Sequence, residues 1–149
     1  MSIAETITRW RHRHGFGVQS PWAYELVRDA LCDHSRFYAF DTLGGTKRDE
    51  QLFRLAHWLH ATAIAADGLS DTARRYLLAA CPKLAITPLT LPLPETSLPD
   101  CAIVEDIAGS GKALWQQLLQ QPQTTSAFDL RHRGIAFFDP ARQRQIYLL

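Results

Sequence analysis

Apolar residues recur at helical spacing in four stretches of the chain. These stretches cover residues 21–32, 47–60, 71–81 and 111–121. The first follows Ser20 and begins with Pro21, which is a serine N-cap followed by a proline at the first helical position. The second follows Thr46, and Asp49 three residues later gives the spacing of a capping box. A helix is therefore predicted in each stretch, with its start defined in the first two.

Short apolar runs lie between and after these helices and predict strands. They cover residues 63–66, 84–86, 101–107, 124–130, 134–138 and 145–149. The prolines of residues 87–100 exclude a helix and a central strand there, so this segment is predicted to be an extended connector. Strands that alternate with helices indicate an α/β sheet, mostly parallel in its first half and with an antiparallel C-terminal edge.

The composition is that of one soluble globular domain, since 46% of the 149 residues are hydrophobic and 21% are charged. The formal net charge of +1 does not favour nucleic acid or an anionic membrane, so any such role depends on a local patch. No apolar run reaches the roughly 18 residues of a membrane span, and the opening residues lack the hydrophobic stretch of a signal peptide. We therefore expect a cytoplasmic protein without a membrane partner.

Basic residues cluster once, in a segment that we call the basic arm (residues 9–20). Its charged groups are Arg9, Arg11, His12, Arg13 and His14. No helical or strand period fits them, so the arm is predicted to be irregular. It is expected to fold over its own domain or a partner, and RNA binding is the alternative. Docking on the chain itself would use Arg11 and Arg13 against Asp67, Glu105 and Asp106, with burial of Trp10, Phe16 and Trp22.

The first predicted strand ends in Asp67 and Gly68 and is followed by a helix. Nucleotide-binding α/β folds hold their ligand at the carboxyl end of such a strand. A glycine-rich fingerprint would need further glycines where Ser70 and Ala73 stand. Both a structural turn and a degenerate cofactor loop therefore stay open.

A second acidic strand end, Glu105 and Asp106, precedes the sequence GSGK at residues 109–112. The two carboxylates could bind a hard cation, act as acid and base, or cap the following helix. GSGK lacks the spacing of a phosphate-binding loop, so a helix cap around Ser110 is the prediction. No metal site is predicted, because the three cysteines lie far apart and His57 and His60 have no third ligand at suitable spacing.

Two blocks of the chain carry a family resemblance. The first contains RHGFGVQSPWAYELV, RFYAF and QLFRLAHWL, and the second runs from EDIAGSGKALWQQL to FDLRHRGIAFFDPARQRQIYLL. The first block resembles the N-terminal extension of a group of bacterial class I S-adenosylmethionine-dependent methyltransferases, in which an arginine-rich segment precedes a Rossmann-like domain. The second block is similar to the last third of the same group. The resemblance implies an N-terminal arm and helical extension (1–60) followed by a Rossmann-like domain (61–149), together one compact unit.

The chain departs from the family pattern at the expected cofactor site. Asp67 and Gly68 match the start of the family's glycine-rich loop, but Thr72 stands where a later glycine belongs. The acidic residue that would contact the ribose hydroxyls is missing after Ile86. Residues 61–149 also hold only about five strands at roughly 30 residues per strand-helix-strand unit. We therefore expect a deletion bridged by the proline segment, which would place the strand at 101–107 beside the strand at 63–67.

These departures predict a degenerate, non-catalytic methyltransferase-like protein that acts in binding or assembly, as a homo-oligomer or with a protein partner. S-adenosylmethionine is the cofactor that the resemblance implies, and a chain without any cofactor is the expectation. One alternative is a minimal active methyltransferase that uses Asp67 and Gly68 for the cofactor and Asp106 near the substrate. A second alternative is nucleic-acid or phosphate binding through Arg9, Arg11, Arg13 and Lys112.

Overall fold

The computed structural model of the protein describes residues 2–14, 17–18 and 20–149. The helices found there are α1 (Ile3–Arg13), α2 (Pro21–Leu26), α3 (Ala39–Leu43), α4 (Lys47–Leu59), α5 (Asp71–Ala80) and α6 (Lys112–Gln120). A π-helical turn, Val27–Leu31, continues α2. The strands are β1 (Ala63–Asp67), β2 (Ala85–Pro88), β3 (Cys101–Glu105), β4 (Ser126–Asp129), β5 (Arg133–Ala136) and β6 (Gln145–Leu148).

The strands form one six-stranded sheet in the order β2-β1-β3-β5-β4-β6. Strand β1 pairs in parallel with β2 and β3, and β6 pairs in parallel with β4. Strand β5 runs antiparallel to both of its neighbours, β3 and β4. The predicted α/β class with a shortened Rossmann-like sheet is confirmed. The antiparallel strand lies inside the C-terminal half of the sheet, and β6 forms the edge.

The predicted contact between β1 and β3 is confirmed. Ile64 pairs with Cys101, and Asp67 pairs with Val104, so the two strands end side by side. The proline segment that joins β2 to β3 is anchored by burial of Leu89 and Leu93. The backbone N–H of Leu93 also donates to the side-chain oxygen of Gln121, 3.1 Å away. The chain thus crosses from β2 past β1 to β3 without a helix.

The sheet has a core on each face, as the alternation of side chains along β3 illustrates. Cys101 and Ile103 belong to the cluster that contains the residues of α2, α4 and α5, whereas Ala102 and Val104 belong to the cluster with α6. On the α6 side, a Cβ at Gly134 would lie 2.5 Å from the ring of Trp115, so only glycine allows this helix to approach β5. The residues of α2 and α4 share one core with the sheet.

The predicted helix starts are confirmed. The Ser20 hydroxyl accepts a hydrogen bond from the N–H of Ala23, and Pro21 occupies the first turn of α2. At α4, the Thr46 side chain accepts from the N–H of Asp49, while the Asp49 carboxylate accepts from the N–H of Thr46. These caps satisfy backbone donors that a helix start leaves without a partner. They also fix where α4 begins, beside the carboxyl ends of the strands.

The prediction of an irregular basic arm is wrong for residues 9–13, which belong to helix α1. Its periodicity is not recognisable because the helix buries an arginine, Arg9, and leaves Ile3 and Ile7 exposed at 81% and 53%. Trp10, which was expected to be buried, is 56% exposed. Trp22, the second expected anchor, is half-buried and packs edge-on against Phe137. Phe16, the third expected apolar anchor, lies outside the described residues, as do Met1, Gly15 and Gln19.

Within the described part of the chain, no helix is long and apolar enough to cross a membrane.

Candidate functional site

The carboxyl ends of the parallel strands β1, β3, β4 and β6 meet at one edge of the sheet. In open α/β sheets this edge is where ligands bind. Here the N-terminal part of the chain covers it. Helix α1 reaches the end of β4 through Arg9, and α4 reaches the ends of β3 and β5 through its backbone and Gln51. The candidate site is therefore the space between this edge and the N-terminal helices.

Glu105, the last residue of β3, forms an ion pair with Arg133, the residue opposite it on β5. The Arg133 guanidinium donates to both Glu105 carboxylate oxygens. It also donates to the Arg48 carbonyl at 2.8 Å and to the Gln51 side-chain oxygen at 2.9 Å. Arg133 is only 1% exposed. Glu105 is thus engaged in attaching α4 to the sheet, and this use of the residue was not among the predicted roles.

Glu105 also packs against Gly68, the residue that was predicted to begin a cofactor loop. Gly68 has φ of +80°, and a Cβ built on it would lie 3.1 Å from the Cβ of Glu105. Only glycine adopts this backbone conformation readily. The Glu105 side chain therefore occupies the space beside the β1 turn. Asp67 is exposed, and within the described residues its carboxylate has no hydrogen bond or ion pair.

Asp106 closes the loop that leads into α6. Its carboxylate accepts hydrogen bonds from the Ser110 N–H at 2.8 Å and the Ser110 hydroxyl at 2.9 Å. These bonds lower the pKa of Asp106. The helix start predicted around Ser110 is found one residue later, at the N-cap Gly111, and no side chain caps it. The GSGK segment therefore already holds a negative group, the chain's own carboxylate, in place of a bound anion.

The basic arm docks on the sheet through Arg9. Its guanidinium donates to the Asp129 carbonyl at 3.1 Å, the Asp129 carboxylate at 3.0 Å and the Leu149 carbonyl at 3.0 Å. It also donates to Glu5 one helical turn earlier. The arm therefore docks on the carboxyl end of β4 and the residue after β6.

Arg11 and Arg13 were predicted to dock on Asp67, Glu105 and Asp106, and this prediction is wrong. Both arginines are exposed, and in the described ranges neither has an ion pair. The physical reason is the helical geometry of α1. Arg11 lies two positions after Arg9 and so does not share its face, whereas Arg13 lies one turn beyond Arg9 and lines a cavity instead of meeting the acidic residues.

His12, on α1, covers the free edge of β6. The His12 Nδ1 atom lies 3.1 Å from the Leu148 carbonyl oxygen and 3.2 Å from the Leu148 nitrogen, so it meets the backbone of β6 as donor or as acceptor, depending on the tautomer. Burial lowers the pKa of His12, which favours the neutral imidazole. An exposed strand edge with free N–H groups favours association with other chains. The contact therefore protects this edge of the sheet.

Two adjoining cavities of about 460 and 400 Å³ lie between α1, the residues 31–36, α4 and the β4–β5 turn. Both are lined by Leu31, His34, Gln51 and His132. His14 and Arg13 of the basic arm line the larger cavity. Asp67 and Gly68 line neither. The open space at this edge is thus separate from the turn predicted to hold a cofactor.

His132 stands at the wall shared by both cavities. Burial and the neighbouring cations Arg133, Arg48 and Arg13 lower its pKa to about 4. Its Nε2 atom is buried and has no hydrogen-bond partner among the described residues. The imidazole is therefore neutral at physiological pH, with a polar atom that a ligand or water could satisfy.

We expect the free energy of unfolding to rise with pH between about 4 and 6.5, because the unfolded chain binds a proton at His132 that the folded chain does not. The contribution of neutral His132 to the free energy of unfolding is complete above the usual histidine pKa of 6.5 and is lost as the pH falls towards 4. Thermal melting across this range checks it. His132→Gln should flatten the slope, and equal slopes in the parent protein and in this variant would contradict the assignment.

In the ranges that the structure describes, no group of three or more His, Cys, Asp or Glu side chains could hold a metal ion. Comparison with protein-family models, with curated proteins and with solved structures finds no match to this chain.

Proposed function

We propose that this chain is a non-catalytic protein of the class I methyltransferase type, which acts in binding or assembly in the cytoplasm. The single observation that carries the proposal is the position of Glu105. Its Cβ and Cγ atoms lie 3.1 and 3.8 Å from the position of a Cβ on Gly68, and its carboxylate is held by buried Arg133 on the other side, on β5. A cofactor at this turn would meet a side chain whose position is fixed by the ion pair that attaches α4 to the sheet.

The second strand supports the same proposal. β2 ends in Thr87 and Pro88, so its carboxyl end offers no carboxylate to ribose hydroxyls. Proline also lacks the backbone N–H that such a loop could donate. Without these contacts, the affinity for S-adenosylmethionine should be weaker than millimolar.

Calorimetric titration with S-adenosylmethionine and with its demethylated product tests the proposal. We expect no saturable heat from either compound and no methyl transfer. Micromolar binding that Asp67→Ala abolishes would overturn the proposal and support the alternative of a minimal active methyltransferase. A variant outside this turn, Asp139→Ala, serves as the control for loss of one carboxylate.

Assembly with a second copy or a protein partner is the form of binding that α1 supports. Ile3 and Ile7 lie one turn apart and face solvent, on the side of the helix opposite to buried Arg9. Exposed apolar residues on one helix face are typical of a contact surface. A homo-oligomer formed through α1 is therefore the arrangement that we propose for the assembled protein.

A further inference from the structure

The two adjoining cavities form a single feature that we call the basic cleft. Its charged lining comprises the cations Arg13, Arg36, Lys47, Arg48 and Arg54 and the carboxylates of Asp33 and Glu50. Positive charge therefore exceeds negative charge in this cleft, although the whole chain has a formal net charge of only +1. Concentration of one sign of charge in a concave site attracts a ligand of the opposite sign.

The cations of the basic cleft differ in whether the chain already neutralises them. Arg36 pairs with Asp41, and Arg54 pairs with Glu50. The side chains of Lys47 and Arg48, in contrast, have no hydrogen bond or ion pair within the described residues. Both belong to the first turn of α4, which the Thr46 capping box fixes in place. Two neighbouring, unpaired cations on a rigid element are suited to holding one anionic group.

The rest of the cleft indicates what the anion is attached to. Leu31 and Leu130 provide apolar wall, and His132 presents the buried, unpartnered Nε2 atom. Each ring nitrogen of a neutral imidazole either donates or accepts, depending on which one carries the proton. A ligand hydroxyl can donate and accept, so it satisfies the unpartnered Nε2 atom in either case.

We propose that the basic cleft binds a sugar phosphate, with the phosphate at Lys47 and Arg48 and a sugar hydroxyl in a hydrogen bond with His132. Cavities of 460 and 400 Å³ are in the size range of small-molecule sites. Histidines provide the only rings in the described lining, so the cleft has no Phe, Tyr or Trp on which a nucleobase would stack. The proposal does not depend on the likeness to methyltransferases, since Asp67 and Gly68 lie outside the cleft.

Calorimetric titration of the full chain tests this proposal with ribose 5-phosphate, inorganic phosphate, ribose and adenosine 5′-monophosphate as probes. We expect saturable binding of ribose 5-phosphate, weaker binding of inorganic phosphate and none of ribose. Arg48→Gln and Lys47→Gln should each lower the affinity for ribose 5-phosphate by about tenfold, which is the effect of losing one charge-assisted hydrogen bond. Both side chains are exposed, so these variants should keep the fold, which their melting curves would verify.

The matched control is Arg75→Gln, at an exposed arginine of α5 that lines neither cavity. His132→Leu should lower the affinity for ribose 5-phosphate and leave the affinity for inorganic phosphate unchanged. Absence of saturable heat, or an equal loss in Arg48→Gln and Arg75→Gln, would overturn the proposal. Equal affinity for inorganic phosphate and ribose 5-phosphate would mean that the cleft recognises the anion alone. Tighter binding of adenosine 5′-monophosphate than of ribose 5-phosphate would mean that the ligand is a nucleotide. Either result overturns the proposed ligand.

Discussion

Arg133→Ala is expected to lower the free energy of unfolding by about 3–5 kcal/mol, the usual cost of removing one partner from a buried ion pair. The guanidinium is 1% exposed and satisfies Glu105, the Arg48 carbonyl and the Gln51 side-chain oxygen at once. Its removal leaves these acceptors without their charged donor and leaves the Glu105 carboxylate unpaired. It also detaches the start of α4 from the sheet, so the substitution weakens the packing of this helix as well as the ion pair.

Urea unfolding followed by circular dichroism measures this loss. A change of this size should shift the melting temperature by roughly 10 °C for a chain of this length. Arg131→Ala is the control, because Arg131 is exposed, two residues away, and its backbone bond to Asp129 survives the substitution. We expect that control to stay within about 0.5 kcal/mol of the parent. Equal stability of Arg133→Ala and Arg131→Ala would show that the ion pair does not hold α4 in place.

Arg9→Ala is expected to lower the free energy of unfolding by about 2–3 kcal/mol, because the Asp129 carboxylate and two backbone carbonyls lose the charged donor that they share. Arg9 is 6% exposed and joins α1 to the Asp129 carbonyl and carboxylate and the Leu149 carbonyl. Without it, α1 keeps its His12 contact to β6 but loses its only described buried anchor. The edge of the sheet should then become accessible, which favours aggregation.

Thermal melting with light scattering tests both parts of this expectation. Arg11→Ala removes an equal charge from the same helix at an exposed position, and we expect it to change stability by less than about 0.5 kcal/mol. If Arg9→Ala melts with the parent protein and has the same mass in solution, α1 is not held by this arginine. The docked position of the arm would then contribute nothing to stability.

Local signals in the sequence were sufficient for much of the fold. The N-cap at Ser20 and the capping box at Thr46 and Asp49 depend on residues within one helical turn, so the sequence predicts them directly. The contact between β1 and β3 followed from length, because the proline segment between β2 and β3 is too short for a further strand with its helix. Such arguments need no knowledge of which distant side chains meet.

Distant contacts are where the sequence was uninformative. The helical period of α1 was missed because its buried residue is charged, and Arg9 meets a residue 120 positions away. Glu105 has a partner 28 residues along the chain, and only the register of β3 with β5 brings Arg133 opposite it. A signal was present in the form of an arginine at the start of an apolar run, but its partner could not be identified before the strand order was known.

In the candidate site, too, the local signals could be predicted from the sequence and the distant contacts could not. The acidic strand ends Glu105 and Asp106 were recognised, but their use in an ion pair and in a loop closure depends on their three-dimensional neighbours. The basic cleft was not anticipated, because its cations come from α1, residues 31–36 and α4. Of the basic arm, only Arg13 and His14 contribute to its lining.

The most direct test of the account is the backbone amide signal of Gly68 in a ¹H–¹⁵N correlation spectrum during titration with S-adenosylmethionine. Because Glu105 occupies the space beside this residue, the signals of Asp67 and Gly68 should stay unchanged up to several millimolar ligand. Saturable shifts of Asp67, Gly68 and Glu105 would contradict the account, because they would mean that the ion pair opens and that the turn after β1 still receives the cofactor.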